Sequence, residues 1–254
     1  VWRGQLINKK KNGALYTEEA VIFPVTDENG KPVEFVGSWK DITDRLLAEE
    51  KIRKHLQTGK ILNKILKLPL ENRTLAEILQ SALTEILAVE WFSIETKGAI
   101  FLTDEKTNSL KLAAHAGLGE AVVKTCAEVP AGRCLCGRVL AGGKPVFKAH
   151  VDGDHENSYA GMADHGHYIL PIISGARTYG VINVYTTPGH VRSETDSGFL
   201  SAIADILAGI IHRKKMNEYL SLLKELHVKA AGTQDSKAAL KLLTDNVCEI
   251  TGWP

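Results

Sequence analysis

The chain lacks any apolar run approaching the ~20 residues that a bilayer crossing requires, and no signal-peptide pattern stands near its start. A membrane span is therefore not expected within these residues, and the expected setting is cytoplasmic. Charge of one sign is also missing. Lys and Arg number 31 against 30 Asp and Glu, a formal net charge of +1. No strong field favours nucleic acid or a membrane surface, so no nucleic-acid partner is expected. Cysteine is scarce, with four in 254 residues. Their uneven spacing excludes a disulfide framework, and Cys134 and Cys136 sit too close in sequence for a good mutual bridge. Reduced thiols are the expectation, in keeping with the cytoplasm. The chain opens on Val1 rather than Met and stops at Trp253-Pro254 in mid-pattern, which reads as a piece of a longer protein.

What is present is an ordinary globular composition, 44% apolar, in a length that suggests about two domains. Residues 1–40 alternate strand-like runs with turns. Asn12-Gly13 is a hairpin signal between Trp2–Asn8 and Leu15–Pro24, and Asn29-Gly30-Lys31-Pro32 marks a second turn before Val33–Trp39. Asp41 or Thr43 then caps a charged helix running through Leu46–Leu66. Trp2-Arg3-Gly4, Asn12-Gly13, Ile22-Phe23-Pro24-Val25, Asp27–Gly30 and Asp41-Ile42-Thr43-Asp44-Arg45 together resemble the C-terminal half of a PAS domain over residues 1–45. The segment 46–69 reads as a connecting helix. Its apolar residues recur near helical spacing without a strict heptad, which fits either a weak coiled coil between two protomers or a helix lying on its own domain.

Pro69 and Asn72-Arg73-Thr74 break that helix. A second helix follows over Leu75–Val89, with Leu75, Ile78, Leu79, Leu83 and Ile86 on one side. Strands are expected at Gly98–Thr103, Leu110–Ala116, Pro145–Phe147, His167–Ile173 and Tyr179–Tyr185, with a helix at Glu120–Ala127 and a long final one over Ser193–Tyr219. Gly98–Leu102, Leu110–Ala114, Gly137–Ala141, Gly143-Lys144-Pro145-Val146, Leu170-Pro171-Ile172 and Gly180-Val181-Ile182-Asn183-Val184 make residues 70–212 resemble a GAF domain. That resemblance implies an α+β fold: a central antiparallel sheet, helices on one face and a ligand pocket on the other. It also implies long terminal helices that pair two copies and carry a signal. Residues 213–254 read as a connecting helix and the start of a second GAF domain, in which Cys248 packs on an apolar helical face.

The stretch Cys126–His190 holds three of the four cysteines and five of the nine histidines. Gly132 and Gly137 bracket Cys134 and Cys136, and Arg138–Ala141 reads as a helix, so both thiols sit near a helix N-terminus, where exposed N–H groups favour thiolate. His165 and His167 enter a strand two residues apart, on one face. His150 ends the preceding strand and His155 lies in the polar loop Asp152–Tyr159. Cys134, Cys136, His165 and His167 would make a Cys₂His₂ set suited to zinc or iron, with His150 a further ligand-binding candidate. The spacing between the pairs fits no zinc-finger pattern. An organic ligand or small anion in the same pocket, or buried packing cysteines and loop-holding histidines, accounts for the same residues.

The function these features imply is a sensory input module of a bacterial signal-transduction protein, upstream of an output domain. By resemblance that output is a histidine kinase, with a diguanylate cyclase or a transcription activator as alternatives. No catalytic site is expected in these residues. A second class is the GAF-type reductase of free methionine sulfoxide, which needs a nucleophilic thiolate and a resolving thiol; Cys126 with Cys134 or Cys136 are the candidates.

Overall fold

The computed structural model describes residues 1–92, 94–158 and 161–231, together with Lys241 and Thr244. The second GAF domain expected toward residue 254, with Cys248, falls largely on residues outside that set. Two compact units divide the chain, one over Val1–Lys60 and one from Ile61 onward.

The first unit is an antiparallel meander of β1 (Trp2–Lys9), β2 (Leu15–Thr26) and β3 (Pro32–Asp41), joined in that order. Gly13 turns the first hairpin at φ +88°, a conformation that glycine adopts without steric cost. The helix α1 (Thr43–Lys67) starts at once after β3. Thr43 secures that start: its hydroxyl oxygen accepts the Thr17 N–H at 2.9 Å, and its own N–H donates to Asp41 Oδ1 at 3.0 Å. These bonds from Thr43, with the Lys10 ammonium beside them, hold the Asp41 carboxyl down at about 2. The meander leaves Ile7, Val33, Phe35 and Trp39 exposed.

In the second unit a capping box opens α2 (Leu75–Leu87). Thr74 Oγ1 accepts the Glu77 N–H while Glu77 accepts the Thr74 N–H at 2.7 Å. The sheet follows with β4 (Ile94–Asp104), β5 (Ser109–Ala116), β6 (Glu128–Pro130), β7 (Val146–Lys148), β8 (Gly166–Ser174) and β9 (Arg177–Thr186). Its spatial order is β6-β5-β4-β9-β8-β7, antiparallel throughout. Short α3 (Glu120–Thr125) and α4 (Cys134–Gly142) lie between β5 and β7, and α5 (Glu194–Ala231) closes the unit.

Strand alternation divides the core into two layers. On one face α2 and α5 pack Ile78, Leu83, Phe199, Leu200 and Ile203 against Ile100, Leu170, Ile172 and Ile182. On the other, Ala99, Phe101, Ile169 and Val181 meet Cys134, Leu135, Cys136 and Val139 of α4. Each such aliphatic side chain contributes about 1.5–3 kcal/mol when fully buried. The α+β architecture expected from the sequence is the one observed.

Besides the earlier start of β4 and the additional short β6, two helices differ from the sequence reading. The helix expected from Arg138 begins four residues earlier, so both cysteines lie inside α4 rather than in a turn ahead of it. The reason is a distant cap: Glu156 accepts the Cys134 N–H at 3.0 Å, a bond that no local pattern announces. The final helix continues past Tyr219 to Ala231. Its apolar residues are buried as far as Ile211, whereas Met216, Leu220, Leu222 and Val228 are exposed.

Candidate functional site

The second layer encloses a cavity of about 20 Å³ between the sheet, α4 and the loop residues His155 and Asn157. Cys126, Cys134, Cys136, His155, Asn157, His167, Asn183 and Tyr185 supply the reactive and polar parts of its wall, and Ala99, Phe101 and Ile169 the apolar floor. A volume of this size admits about one water-sized species. A neighbouring cavity of about 70 Å³, which His165 lines, shares Leu118, Val122 and Tyr185 with it.

Three histidines converge beside this cavity. His155 comes from the loop, His165 from just ahead of β8, and His167 from β8 itself. Each offers one ring nitrogen, and the three nitrogens lie within 4.8 Å of one another. Ring centroids stand 5.4, 5.1 and 4.7 Å apart. Tyr185, cross-strand from His167, packs its ring on both His165 and His167 at 4.9 and 4.5 Å.

The far side of two rings is fixed. His165 Nδ1 lies 2.7 Å from the Ala163 carbonyl oxygen, which can only accept, so this nitrogen carries the proton. His167 Nδ1 donates to Asn183 Oδ1 at 2.9 Å, and the Asn183 amide is turned to bond the Cys136 sulfur. His155 Nδ1, His165 Nε2 and His167 Nε2 are all buried without a hydrogen-bond partner. Burial and the neighbouring His165 and His155 charges push His167 down to about 3, so it is a neutral imidazole. Burial and then the His165 charge lower His155 as well.

Three cysteines line the same cavity. Cys134 and Cys136 are buried, and Cys134 holds a left-handed φ of +54° at the first residue of α4. Burial, then the neighbouring Cys134 and Cys126, push the Cys136 thiol well above its ordinary range. Burial also raises Cys126, whose sulfur accepts an Asn157 amide N–H at 3.4 Å. The thiolate expected at the helix start is thus opposed at Cys136 by desolvation.

An ionic latch holds the loop down. Arg138 of α4 pairs with Asp154 and, at 2.7 Å, with Glu156. Lys148 pairs with Asp152 and Asp154, each at 2.6 Å. His155 therefore lies between two carboxylates that are tied to α4 and β7.

Of the residues singled out from sequence, His165 and His167 are brought together. Cys134 and Cys136 line the cavity that His167 lines, yet among the described residues the one group of close metal-type donors is His155, His165 and His167. His150 points elsewhere: its side chain is 59% exposed and its Nδ1 pairs with Asp164 at 2.7 Å. Two further residues of the site are weakly marked in the sequence. His155 reads there only as a loop residue. Asn183 reads only as part of a strand motif, although one amide within Gly180–Val184 is itself a sign of a buried polar partner.

A family model for the GAF domain matches residues 72–212, more than half of the chain. The chain belongs to the GAF family. Its GAF domain is a sensory or regulatory module. The fold is similar to the GAF domain of a phosphoenolpyruvate-protein phosphotransferase from Coxiella burnetii, at 19% identity over 65% of this chain and 98% of that one, TM-score 0.55. It is also similar to the free methionine-R-sulfoxide reductase of Neisseria meningitidis, solved with its substrate, at 20% identity over 63% of this chain and 91% of that one, TM-score 0.52. At these identities the likeness is one of fold. The nitrogen fixation regulatory protein of Klebsiella oxytoca matches at 34% identity over 55 residues, 22% of this chain. The chain spans 11% of the length of that protein. Among the described residues no helix is long and apolar enough to cross a membrane.

Proposed function

We propose that this chain is a sensory input portion of a bacterial signal-transduction protein. Its GAF cavity takes a small ligand or metal ion, with Cys134, Cys136, His165 and His167 around it, and occupancy is relayed through α5 to an output domain, a histidine kinase. The observation that carries the reading is the position of β8. His167 lines the cavity, and the next residue faces the helix layer: the Tyr168 hydroxyl accepts the Ser193 N–H at 3.1 Å and approaches Asp196 Oδ2 at 3.4 Å. A change at the cavity thus has one strand to cross before it meets the first turn of α5.

The exposed apolar residues of α5 beyond Ile211 support pairing of two copies through this helix. The meander feeding a helix, with Phe35 and Trp39 uncovered, supports the PAS reading of residues 1–45. A cytoplasmic setting accords with the free thiols at Cys126, Cys134 and Cys136. The reductase reading has less support: the Cys136 thiol is pushed up, away from the thiolate, and the cavity has room for about one water-sized species.

Ala99 lines the cavity and is buried, so Ala99→Val partly fills it without a ligand. Hydrogen exchange of the first α5 turn is expected to differ between this variant and the wild type, and Tyr168→Phe is expected to erase the difference. A change confined to the loop and β8 would defeat the relay.

A further inference from the structure

We infer that His155, His165 and His167 form a three-histidine site for one divalent first-row transition ion, zinc or ferrous iron, and that the cysteines are not among its ligands. This names an occupant for the cavity on which the sensory reading rests.

Each of the three rings keeps one buried nitrogen without a partner, and one nitrogen from each ring lies within 4.8 Å of the other two. A buried polar group without a partner costs about 1–3 kcal/mol. Three together mark a place where something else bonds them. Two of the rings are already set for metal. A metal-binding histidine characteristically donates its other N–H to a carbonyl or carboxylate, which fixes the tautomer. His165 does so to the Ala163 carbonyl and His167 to the Asn183 side chain, and in each ring Nε2 is the nitrogen left without a partner. Neutral imidazole is the ligand that zinc, iron, copper and nickel share, whereas calcium and magnesium require oxygen donors, which this group lacks.

The geometry needs only a small contraction. Nitrogens bound at about 2.0–2.1 Å around a tetrahedral ion stand roughly 3.4 Å apart, and here they lie within 4.8 Å. His155 sits on the latched loop and supplies the adjustable ligand. His167 belongs to the sheet and His165 immediately precedes β8, and together they supply the fixed pair. Because His155 and His167 also line the cavity, the fourth position of such an ion opens toward it, as in three-ligand sites that hold a water.

Cobalt(II) is the probe, titrated anaerobically into the reduced, metal-stripped chain. One equivalent is expected to give the visible ligand-field bands of a four- or five-coordinate ion without the near-ultraviolet band of a thiolate ligand. Zinc should displace it. His155→Ala, His165→Ala and His167→Gln are each expected to weaken binding at least tenfold, and Cys134→Ser and Cys136→Ser to leave it within about threefold. His155 is only half-buried, so its variant tests the site even where a β8 variant unfolds; circular dichroism checks each fold. No stoichiometric binding by the folded chain would overturn the proposal. So would a thiolate band, or loss of binding in the serine variants with retention in the histidine ones. Metal binding that leaves hydrogen exchange of α5 unchanged would sink the relay and leave the site standing. Absent binding together with an intact Ala99→Val response would do the reverse.

Discussion

His167 Nδ1 donates to Asn183 Oδ1 at 2.9 Å across β8 and β9. The bond decides which nitrogen of the ring remains free, because an imidazole that gives its proton on one side presents a lone pair on the other. Asn183 touches both halves of the cavity wall, the imidazole and the Cys136 sulfur. Replacing Asn183 with Leu keeps the branched heavy-atom skeleton and removes both bonds. Cobalt affinity is expected to fall about 10–100-fold with all three histidines present, the range found for partners that orient metal-bound histidines. An unchanged affinity in that titration would show that the tautomer is set by other means.

Arg138 fastens the loop through Asp154 and Glu156. Exposed ion pairs contribute only about 0.2–1 kcal/mol each, so Arg138→Ala is expected to lower global stability slightly. Its local effect should be larger: protease cleavage between residues 150 and 164 is expected to rise several-fold, and added salt should act in the same direction on the wild type. A cleavage rate indifferent to both would mean that the loop is held by its packing.

At pH 8 the folded chain is expected to alkylate slowly at Cys136. The thiol is buried and its ionisation is pushed well above the ordinary range. Peptide mass spectrometry after brief iodoacetamide treatment should find Cys126, which is less buried, modified first, and the denatured chain should show no such order. Fast labelling of native Cys136 would restore the case for a sulfur nucleophile.

Asp41, in the first unit, gives a pH test of its own. Its folded ionisation is drawn from 3.8 to about 2, by Thr43 first and Lys10 after it. Between those values the unfolded chain binds the proton before the folded one does. The stabilisation from Asp41 is therefore complete above about 4 and is lost as the pH falls through about 2. Thr43→Val should move the carboxyl midpoint, followed by nuclear magnetic resonance, back up toward 3.8. The same change leaves the Thr17 N–H without its acceptor, at a cost of about 1–3 kcal/mol.

Two glycines of α4 should respond oppositely to alanine. A Cβ on Gly137 would stand 2.2 Å from the Pro130 carbonyl oxygen, which is backbone and cannot swing aside. Gly137→Ala is expected to lower the thermal midpoint by several degrees. Gly142 has nothing within 4 Å of its would-be Cβ, and Gly142→Ala should be neutral or stabilising by up to about 1 kcal/mol. Equal effects at the two positions would contradict the close packing of α4 on the β6 end.

The fold was legible because its information is local. Thr74 and Glu77 announce α2, Asn12-Gly13 announces a hairpin, and the apolar runs of β8 and β9 are framed by polar turns. The neighbourhood of the site was legible for the same reason, since Cys134, Cys136, His165 and His167 crowd one segment. Its grouping was not. His155 joins His165 and His167 from a loop whose flanking carboxylates pair with Arg138 and Lys148. Glu156 lengthens α4 from 22 residues away. Such long-range bonds leave no periodic trace, and a loop histidine looks alike whether it points in or out. His150 shows the opposite outcome: adjacent to the same loop, it turns to Asp164.

Strand β8 reads in two voices according to parity. Odd positions, His167 and Ile169, speak to the cavity; even ones, Tyr168, Leu170 and Ile172, speak to the helices. The wall between signal and response is therefore one backbone thick, and its two sides cannot evolve or be engineered independently in register. Deleting or inserting a single residue here would hand histidine to the helix layer and tyrosine to the cavity. Re-tuning what this domain detects is open to substitution at odd positions, whereas changing its length would scramble detector and transmitter together.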